Sequence, residues 1–109
     1  MLEATIKIKP LSVNQAWQGR RFKTPDYKRY EEEFLLKLTS GPVPDGMLAV
    51  WVELGFSNKA SDIDNPIKPL LDILQKKYGF NDSEIYSLIV EKRIVMKGEE
   101  YIRFRITSI

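Results

Sequence analysis

Two aspartates separated by one residue, Asp62 and Asp64, stand just before a stretch with the apolar pattern of an amphipathic helix. If the segment before that helix is extended, the two carboxylates point the same way and repel each other unless a cation lies between them. Enzymes that hydrolyse phosphodiesters use such carboxylates to hold one or two Mg²⁺ ions, about 3.5–4 Å apart when there are two. The spacing therefore indicates a divalent metal site.

Lys68 lies four residues after Asp64, a spacing that puts both side chains on one face of an α-helix. A lysine beside the metal can neutralise the charge that builds on the phosphoryl oxygens in the transition state. A third carboxylate is then needed, and the acidic turn after the helix offers Asp82, with Glu84 as the weaker candidate. That segment also has an ordinary interpretation, because Asn-Asp-Ser is typical of a tight turn.

A purely structural interpretation competes for most of these residues. Asp64 or Asn65 can cap the helix, and a proline suits its first turn. Lys68 can form ion pairs with Asp64 and Asp72, each worth a few tenths of a kcal/mol. Asp62 has no role in this interpretation, so it is the residue that discriminates between a metal site and helix capping.

The amino-acid composition narrows the chemistry. The 109 residues include no cysteine and no histidine. This excludes disulfides, zinc held by the usual ligands, thiol catalysis and any serine–histidine site. Oxygen ligands without imidazole or thiolate suit magnesium, manganese or calcium.

The charge is segregated along the chain. The net charge is only +2, but five basic residues face one acid between residues 18 and 29. Such a cluster is typical of a surface that binds a phosphate backbone. A solvated basic loop explains the same composition equally well.

Apolar periodicity and turn signals predict six elements in the order strand, helix, strand, helix, strand, strand. They cover residues 2–9, 27–38, 47–56, 65–78, 85–97 and 101–106. This order predicts an α/β (α+β) fold, a single domain over residues 1–109 with a mixed four-stranded sheet and two helices packed on it. The last two strands are expected to form a hairpin.

The motif D-x-D-N-x-x-K-x-x-x-D, which begins at Asp62, is followed by an acidic turn at Asn81-Asp82, a strand and Lys92. This pattern resembles the RusA family of Holliday junction resolvases. The N-terminal half is also similar to that family: Ser12-Val13-Asn14, then aromatic and basic residues, then two tyrosines in a predicted helix. The resemblance spans nearly the whole chain.

The resemblance implies a small homodimeric endonuclease that binds four-way DNA junctions and nicks opposing strands with Mg²⁺, which Mn²⁺ can replace. It implies that Asp62, Asp64 and Asp82 bind the metal and that Lys68 is the catalytic lysine. Family members often carry two acids at the turn where this chain has Asn81, so Glu84 stays an alternative to Asp82.

We assign DNA contact to the basic segment and to one lysine before the acids: Asn14, Arg20, Arg21, Lys23 and Lys59. Two aromatic residues interleave with this segment, Trp17 and Phe22, and these either stack on bases or cover the core. Lys59 has the alternative of being an ordinary solvated loop lysine.

The sequence has no apolar run of membrane-spanning length, and its start is too short and too polar for a signal peptide. We expect a cytoplasmic protein of a bacterium or a phage-infected bacterium, with branched DNA as its partner and with no protein partner beyond a second copy.

The hypothesis is a Mg²⁺-dependent, structure-selective endonuclease that resolves Holliday junctions by paired nicks. The alternatives are a branched-DNA-binding module without cleavage and a nuclease for another branched or single-stranded substrate.

Overall fold

The computed structural model describes residues 1–11, 17–18 and 22–109, with residues 17–18 and 22–23 described by their backbone alone. The elements are β1 (Leu2–Ile6), β2 (Trp17–Gln18), β3 (Phe22–Lys23), α1 (Pro25–Lys37), β4 (Leu48–Phe56), α2 (Ile67–Tyr78), β5 (Ile85–Ile94) and β6 (Tyr101–Ser108). A short 3-10 helix, Asp82–Glu84, precedes β5. Strands β2 and β3 pair with each other in a separate two-stranded sheet.

The main sheet has the strand order β1-β6-β4-β5. Strands β4 and β5 are parallel and are joined through α2, whereas β6 runs antiparallel to both β1 and β4. The predicted mixed four-stranded sheet with two helices is therefore confirmed.

The predicted hairpin of the last two strands is wrong, because β4 lies between β5 and β6. Residues 95–100 carry the chain past the end of β4, where the backbone N–H of Val95 donates to the carbonyl of Phe56 at 2.7 Å. β6 then starts at Tyr101, opposite Gly55. A Cβ at position 55 would lie 2.4 Å from the Tyr101 ring, so glycine is required for this close crossing.

One face of the sheet carries the core. Alternate residues of β4, from Leu48 to Phe56, are buried there. They form one apolar cluster with Leu70 and Ile73 of α2 and Phe34 of α1. Both helices therefore cover the same face, which fixes where α2 begins and ends relative to the strands.

The first turn of α2 differs from the prediction. The helix begins at Ile67 with Pro66 as its N-cap, and no side chain caps it. The backbone carbonyl of Asp64 accepts from the Ile67 N–H at 3.1 Å, so the expectation that the Asp64 or Asn65 side chain caps this helix is wrong. The predicted helix end at residue 78 is confirmed, and Gly79 follows it with a φ of 77°, the left-handed conformation typical of a helix end.

Neither described helix covers the opposite face of the sheet, which is charged. Trp51 of β4 lies under two guanidinium groups, with Arg105 at 5.0 Å and Arg103 at 5.3 Å from the ring. Its indole N–H donates to Glu91 at 2.7 Å, and both arginines bind Glu3 at 3.0 Å or less. This face will be called the open face.

In the part of the chain described above, no helix is long and apolar enough to cross a membrane.

Candidate active site at the start of helix α2

The loop between β4 and α2, residues 57–66, holds both aspartates of the D-x-D motif. Its first half is a compact turn around Asn58, whose side-chain oxygen accepts from the Ala60 N–H at 2.8 Å. The Asn58 carbonyl accepts from the Ser61 N–H at 3.2 Å. Asp62 follows directly, so its position depends on this turn.

Asp62 is exposed, and its Oδ2 accepts from the Asn65 side-chain amide at 3.1 Å. It lines a polar cavity of about 310 Å³, whose walls include Phe56 and Asn58. The amide of Asn65 therefore holds the Asp62 carboxylate, a role that neither interpretation of the sequence gave this asparagine.

Asp64 is also exposed, but it lines a different, apolar cavity of about 380 Å³ between α2 and the edge of β5. The chain bends at residues 63–64 and turns at 65–66. The extended segment that would point both carboxylates the same way is therefore absent. In this structure the two acids face different cavities.

Lys68 lies in the first turn of α2 and lines the same cavity as Asp64. Its ammonium pairs with Asp72 at 3.2 Å. Both partners are on one helix face four residues apart, so one of the two ion pairs that the sequence suggested for Lys68 forms. The other, a pair between Lys68 and Asp64, does not form among the described residues.

Asp82 lies beyond the other end of α2, where its backbone N–H donates to the Gln75 side chain at 2.9 Å. Asp62 and Asp64 precede the first turn of this helix and Asp82 follows its last. A helix of 12 residues is about 18 Å long, so Asp82 is roughly one helix length from the other two acids. Within one chain, the structure brings Asp62, Asp64 and Lys68 to one end of the sheet and Asp82 to the other.

Glu84, the alternative third acid, has a structural role. Its carboxylate accepts from the Asn81 N–H at 3.1 Å, and the Asn81 side chain accepts from the Ser83 N–H at 3.0 Å. This reciprocal capping box starts the 3-10 helix. It also gives Asn81 a role at the position where an acid was expected.

The arrangement of the three aspartates decides whether one chain can bind a metal ion. No group of three or more Asp or Glu side chains that could hold a metal ion forms within residues 22–109 or the other described segments. The donor set itself fits a hard cation, since Asp62, Asp64 and Asp82 are all exposed carboxylates and none is in an ion pair with any described lysine or arginine. The donors fit Mg²⁺, but the fold of a single chain does not gather them.

The predicted DNA contacts fall mostly on the N-terminal segment. Asn14, Arg20 and Arg21 lie outside the described residues, as do the side chains of Lys23 and the two interleaved aromatics. Lys59 is exposed in the loop before Asp62. Lys59 is therefore the one predicted DNA contact whose side chain the structure describes, and it lies at the same end of the sheet as Asp62.

Lys92 was part of the sequence motif but was given no role. Its ammonium donates to the backbone carbonyls of Lys59 at 2.8 Å and Ser61 at 2.5 Å. Its place beside the loop follows from the parallel register that puts Lys92 opposite Leu54. This strand register depends on residues that are far apart in the sequence. From the sequence alone, only the place of Lys92 in the motif marked it as a candidate.

A protein-family model described as Endodeoxyribonuclease RusA matches residues 8–106. The chain belongs to the RusA family. The matched region contains all of the predicted site residues, and the resemblance inferred from the D-x-D motif is confirmed. No curated protein sequence matched the chain.

Membership in the RusA family makes the chain a member of an endodeoxyribonuclease family that acts on Holliday junctions. The predicted class of enzyme and the predicted class of substrate, branched DNA, are thus supported at the level of the family. The metal, the paired nicks and the dimer are finer statements and are treated as proposals below.

Proposed function

We propose that this protein is a Mg²⁺-dependent endonuclease that resolves four-way DNA junctions by paired nicks in opposing strands, with Mn²⁺ able to replace Mg²⁺. The observation that carries this proposal is the set of acids at and near α2: Asp62, Asp64 and Asp82 are exposed and form no ion pair with a described cation. Exposed carboxylates that the protein leaves unneutralised are suited to an external cation. The proposal places the enzyme with its DNA, in the cytoplasm of a bacterial or phage-infected cell.

In this proposal Asp62, Asp64 and Asp82 hold the metal, which supplies an activated water and polarises the phosphate when bound. The side-chain amide of Asn65 orients the Asp62 carboxylate through the 3.1 Å hydrogen bond. Lys68 stabilises the charge on the phosphoryl oxygens in the transition state. Asp72 holds the Lys68 ammonium on the correct helix face before DNA arrives.

Asp82 is preferred over Glu84 as the third acid. The Glu84 carboxylate is already an acceptor in the capping box, whereas Asp82 bonds through its backbone: its N–H donates to Gln75 and its carbonyl accepts from the Ile85 N–H. Recruiting Glu84 to a metal would leave the Asn81 N–H without its acceptor. Recruiting the Asp82 side chain breaks no hydrogen bond that the structure contains.

The distance between Asp82 and the D-x-D motif requires a second chain, and β5 offers the surface. β5 is the edge of the sheet and is ten residues long. Several of its large apolar side chains are exposed, among them Tyr86 at 66% and Ile89 at 55%. A long apolar edge strand is a template for pairing with another strand. We therefore propose a homodimer joined along β5.

A two-fold axis pairs identical edge strands antiparallel. Because β4 and β5 are parallel, β5 starts at the Asp82 end of the sheet and finishes at the Asp62 end. Antiparallel pairing then places the start of one β5 beside the finish of the other. Asp82 of the partner subunit would thereby join Asp62 and Asp64, so that each dimer has two composite sites, one for each opposing strand of the junction.

DNA contact is proposed for the residues assigned from the sequence, Asn14, Arg20, Arg21, Lys23 and Lys59. Lys59 supports this assignment by its exposed place beside the Asp62 loop. The basic segment as a whole would supply the salt-dependent part of junction binding.

The test of the function is Mg²⁺-dependent nicking of a synthetic four-way junction by the wild type and by Asp64→Asn, with junction binding measured in parallel. We expect paired nicks from the wild type, and at least a 100-fold loss in the variant with binding retained, since a metal supplies several kcal/mol. Tight junction binding by the wild type without cleavage in either Mg²⁺ or Mn²⁺ would instead identify a binding module.

The composite site is tested by mixing two inactive variants, Asp64→Asn and Asp82→Asn, after unfolding and refolding them together. A composite site predicts that the mixed dimer regains one complete site, formed by Asp62 and Asp64 of one chain and Asp82 of the other. Nicking of one strand should then return at up to half of the wild-type rate per mixed dimer. If each chain holds its own complete site, every site in the mixture carries a defect and nicking stays absent.

A further inference from the structure

Lys92 is a half-buried cation whose charge is directed at the backbone of the acid loop. Its ammonium lies 5.7 Å from the centre of the Phe56 ring and donates to the carbonyls of Lys59 and Ser61. A lysine ammonium has three donors, and two of them are used on this one loop. Hydrogen bonds from a charged donor are about twice as strong as neutral ones.

These two bonds act on the residues immediately before Asp62. The turn around Asn58 fixes the N–H groups of Ala60 and Ser61. Lys92 fixes the carbonyl side of the same turn from a neighbouring strand. The backbone that leads into Asp62 is therefore held from within the loop and from β5 together.

Lys92 differs from Lys68 in its position relative to the two cavities beside the aspartates. It lines neither the polar cavity that Asp62 opens into nor the apolar cavity beside Asp64. Lys68 lines the second of these and is the lysine available to a phosphate. Lys68 is therefore placed where a substrate phosphate could bind, whereas Lys92 binds the backbone of the loop.

We propose that Lys92 is a positioning residue: it holds the backbone carbonyls of Lys59 and Ser61 and so sets the position of the Asp62 carboxylate for the metal. This inference rests on the proposed function for its metal-binding part. Its structural part, the tie between Lys92 and the loop, stands on the two hydrogen bonds alone.

The experiment compares Lys92→Met with Lys92→Arg and with the control Lys97→Met in the full-length protein. Methionine keeps an unbranched apolar stem near Phe56 and removes the donors, whereas arginine keeps charge and donors. Lys97 is an exposed lysine five residues further along the chain. Three quantities are measured: amide hydrogen exchange over residues 57–66 without metal, Mn²⁺ affinity by electron paramagnetic resonance without DNA, and the Mg²⁺ concentration for half-maximal nicking.

We expect Lys92→Met to exchange faster at residues 60–61 while the core strands keep their protection. Partners that orient metal ligands typically change metal affinity by about 10- to 100-fold, so Mn²⁺ affinity should fall about 10-fold and the Mg²⁺ midpoint should rise by a similar factor. Saturating Mg²⁺ should restore most of the nicking rate. Lys92→Arg should lie near the wild type and Lys97→Met should equal it.

Unchanged exchange and unchanged Mn²⁺ affinity in Lys92→Met would overturn the inference. Faster exchange throughout the sheet, or faster loop exchange with an unchanged Mn²⁺ affinity, would also overturn it, because Lys92 would then serve general stability or the loop alone. If the wild type itself neither binds Mn²⁺ nor nicks junctions, the proposed function fails and the metal-binding part of the inference falls with it. The exchange data still decide in that case whether Lys92 holds the loop.

Discussion

The carboxylates of the open face and those near helix α2 differ in the side chains that bind them. On the open face Glu3 accepts from Arg103 and Arg105, and Glu91 accepts from the Trp51 indole. Near α2 the carboxylate of Asp62 accepts only a neutral amide, from Asn65. The acids of the open face are bonded within the protein, whereas Asp62, Asp64 and Asp82 are not paired with any described cation, although Asp72 of α2 pairs with Lys68.

This difference separates acids that hold the fold together from acids that are available to a ligand. The guanidinium of Arg105, followed by that of Arg103, lowers the pKa of Glu3 below its usual value. The hydrogen bond from Trp51 lowers the pKa of Glu91. A charge that the protein neutralises contributes to stability, whereas an exposed carboxylate that no described cation pairs with is available to an external cation. Mutations of the open-face acids should therefore change stability, whereas mutations of the acids near α2 should change nicking.

The sharpest contrast is inside one turn, between Asp82→Asn and Glu84→Gln. Asp82→Asn should lower Mg²⁺-dependent nicking by at least about 100-fold, because a proposed metal ligand is lost, and should leave the melting temperature unchanged. Glu84→Gln should keep nicking within about twofold, because the amide oxygen can still accept from the Asn81 N–H. The measurement is junction nicking at saturating Mg²⁺. The opposite pattern would make Glu84 the third acid.

Two lysines of α2 give a second contrast. Both are exposed and ion-paired: Lys68 is 62% exposed and pairs with Asp72, and Lys76 is 58% exposed and pairs with Glu31. Lys68→Met should lower the maximal nicking rate about 100-fold without moving the Mg²⁺ midpoint, since its charge is proposed to act on the transition state. Lys76→Met should leave both quantities unchanged. Equal losses in the two variants would mean that a general positive potential, rather than Lys68, assists the reaction.

The elements of the fold were predictable because they are local. The apolar run of β4 and the apolar face of α2 identified their types, and the end of α2 at residue 78 was predicted as well. Strand pairing is not local, and the connection of residues 95–100 is long enough to cross β4, so the hairpin prediction failed. Sequence periodicity carries no information about which strand a chain returns to.

Residue type and spacing predicted the acids near α2 as candidate metal ligands, and this stays a prediction, but the positions of these acids in the fold were not predictable. The bend at residues 63–64 turns Asp62 and Asp64 toward different cavities, and it depends on how the loop packs between β4 and α2. The remote place of Asp82 depends on the parallel register of β4 and β5. Lys92 contacts the loop through the same register. Each of these features is a consequence of long-range pairing.

A stability effect should appear on the open face. Trp51→Ala removes a half-buried ring that packs under Arg103 and Arg105, together with the donor to Glu91. We expect a loss of about 2 kcal/mol in the free energy of unfolding, less than for a fully buried tryptophan. Nicking at 25 °C should be unchanged while the protein stays folded. Urea denaturation measures the first quantity, and a loss of nicking by the folded variant would assign the open face to DNA binding.

The smallest effect expected is the acid dependence of the same face, and it follows from the sign of the Glu3 pKa shift. Since the pKa of Glu3 is lowered in the folded state, its contribution is present above the unfolded value of 4.5 and is lost as the pH falls below it toward the folded value. Glu3→Gln lacks this contribution at every pH. The difference in the free energy of unfolding between the wild type and Glu3→Gln should therefore shrink as the pH falls from 5 to 3. Its pH dependence should be that of about one titrating group. Glu32→Gln, which alters an exposed glutamate on α1 by the same chemical change, serves as the control in urea denaturation at both pH values. A difference that stays constant across this range would mean that the arginines stabilise the open face by packing on Trp51 and not through the charge of Glu3.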